Sequence, residues 1–186
     1  MDRQIRFVSG NEYKIAEAEA ILRAVGVSVI PMTYKIEELQ TEDPLRLVRD
    51  KALKAFDEVR APVFVEHTGL ELNHLNSFPG GLTQIFWDTL KADRFAELFG
   101  TTSDTSVLAR TTIGYIDGQQ FHFFQGECSG IIVPPPPRGD RGFQWDCVFQ
   151  PDGYTETFAE MGTTKKNEIS MRRKALDEFA AFLHGQ

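Results

Sequence analysis

The sequence predicts a protein of the α/β class. Three observations carry this: an apolar strand that breaks at Ser9-Gly10-Asn11 into a helix-periodic stretch, further strands and helices alternating up to Val63-Phe64-Val65, and two extended stretches meeting at Asp117-Gly118. Ile5 to Val8 forms the first strand, and Ile15, Ala18, Ile21, Leu22 and Val25 then repeat at helical spacing as far as Gly26. Val27 to Pro31 is a second apolar run. The acidic Glu37-Glu38-Leu39-Gln40 leads to Asp43-Pro44, a helix start with a capping carboxylate and proline at the first position. Leu45, Val48, Ala52, Ala55, Phe56 and Val59 mark the apolar face of that helix.

Val63-Phe64-Val65 reads as a compact strand ending at Glu66-His67-Thr68-Gly69. Pro79-Gly80-Gly81 turns the chain into an amphipathic helix from about Ile85 to Phe99. Arg110 to Ile116 and Gln119 to Phe124 form a hairpin about Asp117-Gly118, and Ile131-Ile132-Val133 ends a further strand before Pro134 to Pro137, an extended loop. The last helix is expected from near Asn167, burying Ile169, Leu176, Phe179 and Leu183 on one stripe. Arg172 lies on that stripe too. A buried guanidinium needs a partner, so it either snorkels to the edge or pairs with one of the 27 acidic residues.

With 186 residues and 41% hydrophobic content, the expectation is one domain over residues 1–186, with no repeat and no linker. A net charge of −7 argues against a continuous basic track, and so against non-specific nucleic-acid binding, while leaving room for a nucleotide in a locally basic pocket. Cys128 and Cys147 are too few and too far apart for a zinc site or a disulfide framework. The chain opens Met1-Asp2-Arg3-Gln4 with neither a leader pattern nor a membrane-spanning run, which points to the cytoplasm.

The strand-turn-helix at Ser9-Gly10-Asn11 offers free backbone N–H groups and a helix N-terminus to an anion, and Lys14 adds a positive charge one turn on. Such turns also occur for packing reasons alone. Together with segments farther along, this turn resembles the HAM1/ITPase family across almost the whole chain. The family's T/S-G-N-x-x-K signature appears as Ser9-Gly10-Asn11-Glu12-Tyr13-Lys14, its E-x-Q element as Glu38-Leu39-Gln40, and its E/D-D-T/S-x-L segment as Glu66-His67-Thr68-Gly69-Leu70 ahead of Pro79-Gly80. Its F-G-W-D-P motif is similar to Phe143-Gln144-Trp145-Asp146-Cys147, and Phe149 to Tyr154 through Ala159-Glu160-Met161 follows the ITPase branch. Lys166-Asn167-Glu168-Ile169-Ser170-Met171-Arg172 resembles the K-N-x-x-S-H-R element without its histidine.

The resemblance implies an ITPase-like (HAM1/Maf-type) fold: a central mixed twisted sheet flanked by helices, in two lobes around a nucleotide cleft. It implies that Ser9, Asn11, Lys14 and Lys51 hold phosphates and that Thr68 binds substrate, although Lys51 is also compatible with an ordinary solvated lysine. Phe143 would stack on a deaminated purine, with Trp145, Asp146, Lys166, Ser170 and Arg172 shaping or hydrogen-bonding the base pocket. Glu38 and Glu66 would hold Mg2+. Relatives of this kind are usually homodimers.

Position 67 departs from the pattern, since His67 stands where the family has a carboxylate in its acidic metal site. An imidazole offers one softer nitrogen where Mg2+ prefers hard oxygens. Three readings follow. The favoured one is a chain that binds dITP, ITP or XTP, hydrolyses it poorly and reports it to an effector, such as a SIR2-like NAD hydrolase of an anti-phage system. The alternative is an active pyrophosphatase in which His67 is the general base, with Glu38 and Lys14 beside it. The third is a structural subunit that neither binds nor cleaves nucleotide.

Overall fold

The computed structural model describes residues 3–185; Met1, Asp2 and Gln186, which close off the span expected as one domain, lie outside the described residues. Seven strands form one mixed sheet: β1 (Arg3–Val8), β2 (Val27–Met32), β3 (Val63–Leu72), β4 (Phe78–Pro79), β5 (Ser106–Ile116), β6 (Phe121–Ile132) and β7 (Phe149–Pro151). Their order is β2-β1-β3-β5-β6-β7, with β4 beside β3. β1 is parallel to β2 and β3, and the remaining pairs are antiparallel. Five helices flank the sheet: α1 (Glu12–Arg23), α2 (Pro44–Val59), α3 (Thr83–Phe99), α4 (Phe158–Ile169) and α5 (Met171–His184).

Local chemistry explains most boundaries. Asn11 caps α1 by accepting from the Lys14 N–H at 3.1 Å, and Asp43 caps α2 through the Leu45 and Arg46 N–H groups ahead of Pro44. Gly118 has φ +105, and the Asp117 carboxylate accepts from the N–H groups of Gln119 and Gln120 to close the β5–β6 turn.

Several elements differ from the sequence expectation. β3 does not stop at Val65 but continues through Leu72, because β5 pairs with every residue from Val63 to Leu72 and so supplies ladder partners to a polar run. β5 and β6 are longer than the short hairpin arms expected, and Ile131 and Ile132 end β6 and form no separate strand. On α2, Leu45 is exposed and Leu47 takes its place in the core. The single terminal helix is two. α4 begins at Phe158, bends where Gly162 takes φ +73, and ends at Ser170, whose extended backbone and side chain cap α5. Ile169 therefore leaves the stripe, while Leu176, Phe179 and Leu183 remain buried on it.

Apolar residues collect in three clusters. Two flank the β1 half of the sheet: α1 and α5 pack on one face against Ile5, Phe64 and Tyr115, and α2 packs on the other against Val8, Val63 and Val65. The third gathers α3, β7 and the far ends of β3, β5 and β6 around Leu70, Phe95, Ala109 and Phe149. Between them β3 carries Glu66, His67 and Thr68, facing Thr112 and Thr111 of β5, all buried. Arg172, 1% exposed at the start of α5, reaches into this polar belt.

The Arg172 Nε donates to both Glu66 carboxylate oxygens at 3.1 and 3.0 Å, and its Nη1 donates to Glu17 of α1. One side chain thus ties α5 to β3 and α1. Removing a single partner from such a buried set leaves charges that water can no longer solvate. Arg172→Leu is therefore expected to destabilise the fold by about 3–5 kcal/mol in urea denaturation, far more than the loss of an exposed pair such as Arg94–Glu97.

Candidate active site

Two neighbouring concavities lie over the polar belt. The first is built on the β1–α1 turn, where Ser9, Gly10 and Asn11 present the N-terminus of α1, and where Lys14, Glu38, Lys51, Glu66, His67 and Thr68 converge from α1, α2, β3 and the loop after β2. The Ser9 hydroxyl accepts from the Asn11 N–H at 3.2 Å, so the turn is held by its own side chains. The second lies against α1 and α4 and is lined by Tyr13, Glu17, Phe143, Asp146, Phe158, Thr163 and Lys166. The first is polar and cationic at its centre, as a polyphosphate requires, and the second has an aromatic wall with a few buried polar groups, as a base requires.

Every acidic side chain predicted for the site has a cationic partner. Glu66 receives Arg172, Lys14 at 3.1 Å and the Thr68 hydroxyl at 2.8 Å. Burial works against its charge, but Arg172 and Lys14 hold its carboxyl well below the usual carboxylate range. Glu38 pairs with Lys51, whose ammonium also lies 3.3 Å from the Glu66 carbonyl oxygen. Burial opposes the Glu38 charge too, and Lys51 still brings its pKa below the ordinary value. Asp146 accepts from Lys166 at 2.5 Å, yet burial outweighs that contact and raises its pKa. Lys14 is shifted down by burial, against Glu66 and with Arg172 and Lys51 adding repulsion.

His67 lines the first concavity, 7% exposed. Burial first, then the charges of Lys14 and Lys51, lower its pKa to about 4. Its ring is neutral across the physiological range. The Nε2 atom is buried without a hydrogen-bond partner and sits on the side of Gly69, where a Cβ would lie 3.2 Å from it and only 2.5 Å from the Gly80 carbonyl oxygen. Glycine at 69 is what lets this ring and the Gly80 turn share the space.

The donor set does not fit a magnesium cage. Both Glu66 oxygens are committed to cations, so Glu66 is a counter-ion here and not the ligand expected for it. Glu38 is the partly exposed carboxylate of the expected pair. Among the described residues no group of three or more His, Cys, Asp or Glu side chains is disposed to hold a metal ion.

The base side also redistributes the expected roles. Phe143 lines the cavity, with the Lys166 ammonium 4.2 Å from its ring centre and the Arg172 guanidinium 5.9 Å away. Asp146 and Lys166 line it as expected. Trp145 does not. It is 2% exposed in the apolar core, packed on Phe149, with its indole N–H unpartnered. Ser170 is buried and spends its hydroxyl on the α5 cap, accepting from the Arg173 N–H at 3.1 Å, and Arg172 lies beneath the cleft in the ion network.

Sequence reasoning missed Glu17, Tyr13 and the Gln84–Gln144 contact of 2.7 Å at the rim. Glu17 had a visible signal: an acid next to Ala18 on the buried face of α1 matches a lone Arg on the apolar stripe of α5. Gln144 had one in the resemblance: the F-G-W-D-P motif carries glycine at this position, and the φ of +43 is a left-handed conformation that glycine favours.

Comparison with known proteins agrees with this geometry. A model of the Ham1 family matches residues 5–182. The chain is similar to the inosine triphosphate pyrophosphatase of Yarrowia lipolytica, 38% identical over 95% of this chain and 94% of the relative. It is likewise similar to that of Tuber melanosporum, 38% identical over 95% of each. Among solved structures, a HAM1 protein from Coxiella burnetii superposes with a TM-score of 0.85 at 26% identity, covering 99% of this chain and 100% of that one. The Ham1 protein of Staphylococcus aureus shares the fold, with a TM-score of 0.81 at 24% identity over 98% and 99% of the two chains. A family model covering nearly the whole sequence, relatives alike at more than a third of positions, and a cleft that gathers the motif residues of five segments lead to one conclusion: the chain belongs to the Ham1 family.

Proposed function

We propose that this chain, acting as one domain in the cytoplasm, binds deaminated purine nucleoside triphosphates (ITP, dITP or XTP) and hydrolyses them to the monophosphate and diphosphate. The observation that carries this is the pairing, within one cleft, of an aromatic base cavity at Phe143 with a lysine-lined pocket at the start of α1. The likeness to two inosine triphosphate pyrophosphatases supports hydrolysis over binding alone. Ser9, Asn11, Lys14, Lys51 and Thr68 would take the phosphates, and Phe143, Asp146 and Lys166 the base. A site that pairs with a 6-oxo group rejects adenine because a mismatched buried donor is left unsatisfied.

In the reaction, water attacks the α-phosphorus, the bond from that phosphorus to the bridging oxygen breaks, and diphosphate leaves. The attacking water must lose a proton. His67 can accept it: a pKa of about 4 gives this neutral imidazole the basicity of an ordinary aspartate, whose side chain titrates near the same value. Burial first, and then Lys14 and Lys51, depress that pKa, so a bound triphosphate, by neutralising the lysines, removes part of the depression and makes His67 a stronger base when it is needed. His67 cannot replace the charge of a carboxylate. Magnesium would enter with the triphosphate, with Glu38 as the carboxylate beside it.

A second reading keeps binding and loses turnover, and the full pairing of the cleft carboxylates with cations favours it. A slowly hydrolysed nucleotide would then be read by a partner protein, such as a SIR2-like effector in phage defence, from a homodimer of this chain.

Titration with dITP and dATP, following binding and diphosphate release separately, distinguishes them. Hydrolysis selective for dITP is expected; selective binding without release supports the second reading, and no binding rejects both. His67→Asp, which restores an oxygen donor, is expected to raise kcat by about tenfold or more without changing the dITP to dATP ratio. A lower rate would show that the loss of cation attraction at position 67 does not limit turnover.

His67 also sets a pH dependence. Its folded pKa lies below the unfolded value of about 6.5, so the unfolded chain takes up the proton first. Stability is therefore unaffected by this group above about pH 6.5 and falls as pH drops toward 4, by about 3 kcal/mol in all. The urea midpoint of the wild type should fall more steeply between pH 7 and 5 than that of His67→Gln.

A further inference from the structure

Tyr13 has no part in the roles described so far, yet its position is specific. It sits on the first turn of α1 between Asn11 and Lys14, both of which line the phosphate pocket, while its own ring lines the base cavity. The ring is 60% exposed, the largest exposure among the big hydrophobic side chains described. Its aromatic neighbour is Phe143, edge to face at 5.1 Å and 62°. Nothing in the core requires a tyrosine there, and an apolar ring left that open on a cavity wall is a surface waiting for a partner.

Resting on the reading of the cleft as a purine nucleotide site, we propose that Tyr13 is a substrate-binding residue that closes over the purine and sandwiches it against Phe143. The spacing defines the motion. A planar base held between two rings needs about 7 Å between them, two contacts of about 3.5 Å each. At 5.1 Å the rings leave no such gap, so Tyr13 now occupies part of the base slot and must swing outward to admit a base. An exposed side chain makes that rotation on the picosecond to nanosecond scale. The Lys166 ammonium already covers the Phe143 ring at 4.2 Å, which leaves Tyr13 as the mobile wall. Because Tyr13 and Lys14 are consecutive on one helical turn, closure on the base and capture of the phosphates act on the same element.

The test is calorimetric binding of inosine 5′-(α,β-methylene)triphosphate and of inorganic tripolyphosphate to the wild type, Tyr13→Ala and Tyr13→Phe. The exposure of Tyr13 means that neither substitution removes core packing. Tyr13→Ala should weaken the inosine analogue roughly 5- to 150-fold, the loss expected for one base–aromatic stack, and leave tripolyphosphate unchanged. Tyr13→Phe should bind both like the wild type. Unaltered analogue binding by Tyr13→Ala overturns the inference, and so does an equal loss for both ligands, which would place the effect in the phosphate turn. A Tyr13→Phe variant as weak as the alanine one overturns stacking in favour of the hydroxyl. If the wild type itself fails to bind the analogue, the nucleotide reading falls and this inference with it.

Discussion

The buried pairing of Arg172 with Glu66 and Glu17 is the interaction on which the rest of the molecule depends. An isolated charge at this depth would be prohibitively solvent-starved, and a single pair seldom recovers its desolvation cost. Here the guanidinium uses Nε and Nη1 on two carboxylates, while Lys14 and Thr68 take remaining lone pairs of Glu66. The four charged groups, two of each sign, make a neutral set. That neutrality lets strands β3 and β5 run unbroken from one apolar cluster to the next across a polar waist. The same set forms the floor of the cleft, so fold and site share one electrostatic solution.

Where local chemistry decides an element, the sequence reveals it. The Asn11 and Asp43 caps, the Asp117-Gly118 turn and the apolar runs of β1 and β2 all depend on residues within a few positions of one another. Where a distant partner decides, it does not. The polar Glu66 to Gly69 run looks like the end of a strand, and only the register with Thr111 and Thr112 makes it the middle of one. Ser170 reads as a pocket residue through the resemblance to the K-N-x-x-S-H-R element, and the break between α4 and α5 recruits its hydroxyl as a cap. The site behaved alike: motif order located Lys14, Lys51, Phe143, Asp146 and Lys166, while burial of Trp145 and engagement of Glu66 required the third dimension.

Under the proposed function, a cleft whose carboxylates are already paired would bind a polyanion by exchange. A triphosphate reaching Lys51 competes with Glu38, and one reaching Lys14 competes with an oxygen of Glu66. The two exchanges differ in cost. Glu38 is partly exposed and can turn to water when displaced, whereas Glu66 keeps its two bonds to Arg172 and loses only one of several partners. Neither displaced group is left buried and unpaired, so the free energy of phosphate binding is not consumed in breaking the floor of the site.

This exchange also gives the imidazole at position 67 its meaning. An aspartate there would add a third carboxylate beside Glu38 and Glu66, repel the incoming phosphates and require a cation to offset it. Neutral His67 leaves the cleft one unit less negative, which favours entry of the triphosphate without help. It also withdraws the charge that would draw a divalent ion to the scissile bond. Basicity, by contrast, is retained in part, since burial and then two lysines bring the ring to about 4, the proton affinity of an ordinary solvated aspartate. The substitution therefore separates two properties that a carboxylate supplies together, proton acceptance and cation attraction. Under the proposed hydrolysis, the rate would measure how much the first can achieve without the second.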